Sequence, residues 1–278
     1  MPFILGIGAQ KSASTWLYHQ LARSPNFVRI GPKEQHFWDR QAFYLDLEQD
    51  EIGLSPEAWF FSDQLPFTRP GFERKKNRYF SRIQRAVKTT KKPAGSFNIT
   101  ADITPAYAAL PKSVWTQVKR DLEQRAIDYR IIFFMRDPVR RILSQFAMEL
   151  HRGSLRARRG VEPVHDLDSM VLHFARSWKA ECRSRYELTL ANLDQVFAPE
   201  SFFIGFHELM SSPEQLAQAE TMLGLSPGTL KPGEIVHSAK SKPLEVNEET
   251  IKGIADYYAS TYDSVFARFP IARKLWLH

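Results

Sequence analysis

The 278-residue chain has one cysteine, Cys182, so no internal disulfide can staple it. No cluster of Cys and His has the spacing of zinc ligands, and Cys182 reads as a small buried apolar residue. Long apolar runs are missing as well. No window reaches the roughly 18 uninterrupted apolar residues that a membrane-crossing helix needs. The apolar start at 1–9 is too short for the core of a secretory signal and meets Gln10-Lys11 at once. These absences predict a reduced, cytoplasmic protein without a transmembrane segment. Acidic residues are absent from one particular place: positions 74–92 carry nine Lys and Arg and no Asp or Glu, and 152–159 adds four Arg. The net charge is +7, from 38 basic and 31 acidic residues, so everything outside those two stretches sums to −6. Internal repeats and low-complexity linkers are lacking too, and nothing marks a domain boundary.

An apolar fraction of 43% and a charged fraction of 25% exclude a disordered chain and predict a real core. At this length roughly three quarters of the unfolded surface can be buried. Phe3-Ile4-Leu5-Gly6-Ile7-Gly8 reads as a buried strand, followed by a tight loop and by a helix with Leu17 and Leu21 at i and i+4. The pattern repeats in Arg130-Ile131-Ile132-Phe133-Phe134-Met135, where Arg136-Asp137-Pro138 follows and Val139, Ile142, Leu143, Phe146 and Leu150 recur at helical spacing. Ser201-Phe202-Phe203-Ile204-Gly205 and Phe97-Asn98-Ile99-Thr100-Ala101-Asp102 are further strand candidates, and Ser212-Pro213-Glu214 opens a helix that runs to about Leu223. Strands alternating with helices predict an α/β fold, one domain over 1–278 with a parallel β-sheet flanked by helices. Positions 41–95 are rich in aromatics without a clean period. They read either as an excursion that packs on the core and shapes a substrate site, or as a loop-rich surface insertion.

Chemistry concentrates in the two strand-loop-helix units. Gly8-Ala9-Gln10-Lys11-Ser12-Ala13-Ser14-Thr15 offers backbone N–H groups, three hydroxyls and an ammonium at a helix N-terminus, where unpaired amides and the helix dipole favour an anion. It lacks the Gly-x-x-x-x-Gly-Lys-Ser/Thr spacing of a Walker A loop, and its hydroxyls could equally cap the helix. In the second unit, Arg136 ends a strand and Ser144 lies eight residues on. A guanidinium fork and a hydroxyl suit a second phosphate, whereas Arg-Asp-Pro alone also makes an ordinary helix cap. Two cradles in one α/β domain point to a nucleotide phosphorylated at both ends.

On these motifs the sequence resembles the sulfotransferases that use 3′-phosphoadenosine 5′-phosphosulfate (PAPS). The stretch from Gly8 through Thr15 to Trp16-Leu17 is similar to the family's 5′-phosphosulfate loop, and Arg136-Asp137-Pro138-Val139-Arg140-Arg141-Ile142-Leu143-Ser144 to its 3′-phosphate motif. Lys33-Glu34-Gln35-His36-Phe37-Trp38-Asp39 resembles the catalytic segment of the heparan-type, carbohydrate-directed branch, and Asp102-Ile103-Thr104-Pro105-Ala106-Tyr107 its substrate loop. Tyr186, the strand ending at Leu209 and Met222-Leu223-Gly224-Leu225 fit the family's tail. The resemblance implies a P-loop-like sulfotransferase fold with PAPS as donor, 3′-phosphoadenosine 5′-phosphate (PAP) as product and no metal. It further implies that Lys11 contacts the 5′-phosphate and the oxygen bridging to sulfur, that Ser12, Ser14 and Thr15 bind the phosphosulfate with Ala13 and Trp16 beside them, and that Arg136 and Ser144 hold the 3′-phosphate. Lys240, Ser241 and Lys242 are the counterpart of the adenine loop. Glu34 is the family's general base, but His36 could do the same work because imidazole titrates nearer neutrality. Asp39 orients one of these groups or the acceptor, with Glu34, His36 and Thr104 also facing it.

Three departures qualify the likeness. Ala13 stands where the family has glycine, which the loop tolerates if φ there is negative. Ile103 replaces a lysine that in the heparan-type branch touches cofactor and acceptor, and that branch's paired cysteines are missing. The implied acceptor is a hydroxyl of a saccharide or glycolipid, with no role for nucleic acid. The basic stretches 74–92 and 152–159 either steer an anionic acceptor or the polyanionic cofactor, or are solvated helix and loop faces. The alternatives to a sulfotransferase are a P-loop nucleoside or nucleotide kinase and a non-catalytic nucleotide-binding protein of the same fold.

Overall fold

The computed structural model describes residues 2–42, 53–64, 70–88, 98–152, 166–232 and 244–276. The elements in order are β1 (Phe3–Gly8), α1 (Ser14–Arg23), α2 (Phe37–Ala42), α3 (Pro56–Phe60), α4 (Phe72–Lys88), β2 (Thr100–Ile103), α5 (Lys112–Gln124), β3 (Tyr129–Met135) and α6 (Pro138–His151). After these come α7 (Leu167–Ala175), α8 (Trp178–Ser184), α9 (Tyr186–Val196), β4 (Phe202–Phe206), α10 (Pro213–Leu223), α11 (Glu248–Tyr257), α12 (Ala259–Arg268) and α13 (Ala272–Leu275). The fold is α/β, as the alternation of apolar runs and helical periods predicts. None of the helices described is long and apolar enough to cross a membrane.

The four strands form one parallel sheet in the order β2-β1-β3-β4. Side chains alternate across a strand, and that alternation sorts the core into two layers. Phe3, Leu5 and Ile7 of β1 join Ile131, Phe133 and Met135 of β3 in the larger layer. Ile4, with Ile132 and Phe134 of β3, faces the opposite layer, filled by Trp16, Leu17 and Leu21 of α1 and Leu216 and Leu223 of α10. Both faces are therefore covered, which is why the strands read as continuous apolar runs. Close packing of neighbouring strands requires Gly6: a Cβ there would lie 2.6 Å from the Ile103 side chain.

Within 41–95, the described residues include the two helices α3 and α4. Trp59 and Phe60 are buried on α3, while Tyr79, Phe80, Ile83 and Ala86 are buried at helical spacing on α4. The period is illegible in sequence because aromatics from two separate helices are read as one series. Phe37 of α2 stacks on Tyr79, with ring centroids 4.8 Å apart, and so ties α4 to the segment before it.

In such a sheet the ligand crevice lies beyond the carboxyl ends of the strands, where neighbouring connections leave in opposite directions. Here that place is between β1 and β3, because β1 leads to β2 on one side and pairs with β3 on the other. The loops after β1 and β3 meet there: Ala9 N donates to Phe134 O (2.6 Å) and Arg136 Nη1 to Lys11 O (3.0 Å).

Candidate active site

Lys11 and Ala13, in the loop after β1, both have left-handed backbone, with φ of 70° and 63°. The condition of a negative φ at Ala13 is therefore not met. An L residue in this region costs about 1–2 kcal/mol, and the loop accepts it twice before α1 begins. Ser12 between them is fully buried, and its hydroxyl has no hydrogen-bond partner among the described residues. Ser14 and Thr15 open α1 but do not cap it; their hydroxyls accept from Lys33 Nζ at 3.1 and 3.2 Å. Trp16 is buried in the layer beneath α1. Burial, then the charges of Arg136 and Arg152, lower the pKa of Lys11. Cations thus crowd this loop, and one of them, Arg152, opens the second basic stretch.

Asp137 caps α6 by accepting from Arg140 N, so Arg136-Asp137-Pro138 is a helix cap as well as a candidate phosphate motif. Arg136 is half-buried. Its Nη1 is spent on the Lys11 carbonyl, but its Nε is buried without a partner among the described residues. Burial pulls its pKa down and the Glu208 carboxylate partly restores it. Tyr186, at the start of α9, donates its hydroxyl to the Arg136 carbonyl at 2.8 Å, and its buried ring packs edge-on against Phe133. Tyr186 therefore fixes the backbone that presents Arg136. Ser144 is half-buried on α6, and so belongs to the same strand-loop-helix unit as Arg136.

A chain of alternating charge runs from α1 toward α2. Lys33 Nζ, already on the Ser14 and Thr15 hydroxyls, lies 2.7 Å from Glu34 Oε1. Glu34 Oε2 lies 3.0 Å from His36 Nε2, and His36 Nδ1 lies 2.6 Å from Asp39 Oδ2. Hydrogen bonds to Asp39 and then Glu34 outweigh burial and raise the His36 pKa to about 9. Burial opposes ionisation of Glu34, but the His36 hydrogen bond and the Lys33 charge prevail and hold its pKa at about 2. At neutral pH Glu34 is therefore a carboxylate and His36 an imidazolium. His36 itself has left-handed backbone, with φ 49°.

What holds this segment is a carboxylate beneath it. Asp102, fully buried at the end of β2, accepts from Thr104 Oγ1 (2.6 Å) and Gln35 N (3.2 Å) on one oxygen, and from the Tyr79 and Tyr107 hydroxyls (both 2.9 Å) on the other. Burial lifts its pKa to about 6 against the pull of those donors. Thr104 is fully buried and accepts from Gln35 N at 3.1 Å, so its hydroxyl is engaged in holding the segment. Ile103 turns into the core over Gly6, yet its N–H donates to the Lys33 carbonyl at 3.0 Å. A lysine, Lys33, thus reaches the Ser14 and Thr15 hydroxyls from the neighbouring segment, although position 103 carries none.

The structure brings Lys11, Ser12, Ala13, Ser14, Thr15 and Arg136 to one edge of the sheet and links them through Lys33 to Glu34, His36 and Asp39. Lys240, Ser241 and Lys242 lie outside the described residues. Sequence reasoning missed Lys33, Arg152 and Asp102 as members of the site. Lys33 and Asp102 were visible as the first residues of the two family-like motifs, whereas Arg152 carried no signal beyond its charge.

The arrangement defines a class: a parallel α/β sheet with a P-loop-like loop beside its central strands. Among solved structures it is similar to the sulfotransferase from Alicyclobacillus acidocaldarius, with a TM-score of 0.56 and 17% identity over 96% of this chain and 95% of that one. The sulfotransferase domain from the curacin biosynthetic pathway matches with a TM-score of 0.45 and 17% identity, over 93% of this chain and 98% of that one. Mouse sulfotransferase SULT7A1 complexed with PAP matches with a TM-score of 0.40 and 12% identity, over 92% and 63%. No family model matches the chain. The first of these likenesses shows that the fold is that of a sulfotransferase.

Proposed function

We propose that the chain is one sulfotransferase domain, cytoplasmic, which transfers a sulfuryl group to a carbohydrate or glycolipid hydroxyl, with 41–95 shaping the acceptor side. PAPS supplies the sulfuryl group. The observation that carries the reading is a pair of buried groups without a partner among the described residues, the Ser12 hydroxyl and Arg136 Nε, at an edge where Arg136 and Arg152 already repel Lys11. Buried polar groups are nearly always satisfied, and a polyanion is the partner that would satisfy these and relieve the repulsion as well. A donor phosphorylated at both ends fits the two cradles: Lys11, Ser12, Ser14 and Thr15 at the phosphosulfate end, and Arg136 with Ser144 at the 3′-phosphate.

Lys11 and Lys33 neutralise charge on the donor side. Sulfuryl transfer needs mainly positioning and electrostatic stabilisation, and cations already held in place incur no reorganisation at the moment of reaction. Of the two candidate bases, Glu34 is ionised at neutral pH and able to accept a proton, whereas His36 is already protonated. Glu34 therefore takes the proton of the acceptor hydroxyl, on Oε1 or Oε2, and its basicity rises as the hydroxyl displaces Lys33 or His36 from it. Asp39 orients His36, and Tyr186 orients Arg136.

The test is sulfate transfer from labelled PAPS across a panel of hydroxyl acceptors. Lys11→Ala and Glu34→Gln are expected to lose at least about a hundredfold in kcat/KM, with Glu34→Gln still binding PAP. Wild-type turnover in both variants, or thermal stabilisation by ATP and magnesium with none by PAP, would overturn the assignment.

A further inference from the structure

A cavity of about 360 Å³ is lined by His36, the partner of Glu34, while neither Glu34 nor the loop after β1 is among its described lining residues. Its floor includes Tyr79, and its walls carry four cationic side chains: Arg40 from α2, and Lys75, Arg78 and Arg82 from α4. Spacings of three and four residues place the α4 cations on one helix face, next to the face that buries Tyr79, Phe80 and Ile83. Among the described residues no carboxylate lines the cavity, and none of the four cations has an acidic partner there. The described acids nearby are committed elsewhere: Glu73 and Asp121 to Lys76, Glu34 to Lys33 and His36, and Asp39 to His36. Like charges gathered around one concave space disfavour that arrangement unless an anion enters it.

The position of this space relative to the reacting groups gives it a meaning. Ser14 and Thr15, Lys33, Glu34, His36 and the cavity follow one another in that order, so the proposed base stands between a donor side and a cationic side. The geometry points to an acceptor that is itself an anionic alcohol, its phosphate, sulfate or carboxylate seated among Arg40, Lys75, Arg78 and Arg82 while its hydroxyl reaches Glu34. The volume suits an anionic group carried on a single ring. The inference rests on the sulfotransferase reading and narrows its substrate class. It also divides the basic residues of 74–88 into two sets, since Lys76 is turned inward and paired, while Lys75, Arg78 and Arg82 form the acceptor wall.

The experiment compares a neutral hexose with its uronic acid and its 6-phosphate, first as acceptors from labelled PAPS and then, without donor, as ligands by titration calorimetry. The two anionic members should exceed the neutral parent by at least about tenfold in kcat/KM. In the exposed-residue variant Arg78→Gln/Arg82→Gln that ratio should collapse toward one through KM, with the melting temperature and PAP affinity unchanged. Equal use of neutral and anionic acceptors overturns the inference, and so does retained discrimination in the double variant. Loss of PAP affinity in that variant assigns the cations to the donor and likewise overturns it. If no acceptor turns over, the sulfotransferase reading fails, and calorimetry still decides the site: binding of hexose 6-phosphate that the double variant abolishes supports an anionic-ligand cavity. Inorganic phosphate bound as tightly as the hexose phosphate shows a simple anion site and counts against an acceptor.

Discussion

Ala13 and His36 show how much of the candidate site is set by single residues held in unusual states. Ala13 sits at φ 63°, where glycine is free and an L side chain is strained. Ala13→Gly should therefore stabilise the protein by about 1 kcal/mol, after allowance for the greater freedom of glycine in the unfolded chain. Urea unfolding measures this, and an unchanged midpoint would contradict the strain. His36 should titrate in NMR near pH 9, and Asp39→Asn should bring it back toward 6.5. Because the folded pKa is raised, the stabilisation from the Asp39–His36–Glu34 contacts is complete below about pH 6.5 and disappears as pH rises through about 9. Glu34 works in the opposite direction: its depressed pKa gives stability present above about pH 4.5 and lost as pH falls through about 2. An alkaline loss of stability that persists unchanged in Asp39→Asn would count against the contact.

At the scale of elements, α4 decides how the segment 33–39 is held and what it faces. The helix is anchored by Tyr79, whose ring stacks on Phe37 and whose hydroxyl reaches Asp102, the carboxylate that also receives Gln35 N from the segment itself. Tyr79→Phe keeps the ring and removes one of four donors from a buried carboxylate, so it should cost about 1–2 kcal/mol in urea unfolding. A change of only a few tenths would show that Asp102 does not depend on it. The strands and the helices after β1, β3 and β4 were legible because each is a buried apolar run followed by a helical period. The α4 helix was not, because its aromatics merge in sequence with those of α3, and its charged residues mask an inward face that includes Lys76, paired with Asp121. Asp102 was legible only as part of a motif; nothing in its neighbours announces that two tyrosines and a threonine converge on it.

For the whole molecule, the net charge of +7 describes the function less well than its placement. Lys11, Arg136 and Arg152 act on one loop, and PAP should raise the melting temperature, by an amount that shrinks as salt goes from about 0.05 to about 0.5 M. A salt-independent shift would argue that these cations do not bind the nucleotide. Arg152, which opens the second basic stretch, acts by its charge on Lys11 in the loop after β1. By itself the sequence determined the sheet, the two phosphate-type loops and the residue types available for acid–base work, because these depend on local apolar period, loop composition and short spacing. The tertiary structure alone decided that Lys33 joins the loop after β1 to Glu34, that His36 lies between Glu34 and Asp39, and that three cations of α4 meet Arg40 around one cavity. Those outcomes depend on distance and burial between segments far apart in the chain, and a linear pattern carries neither.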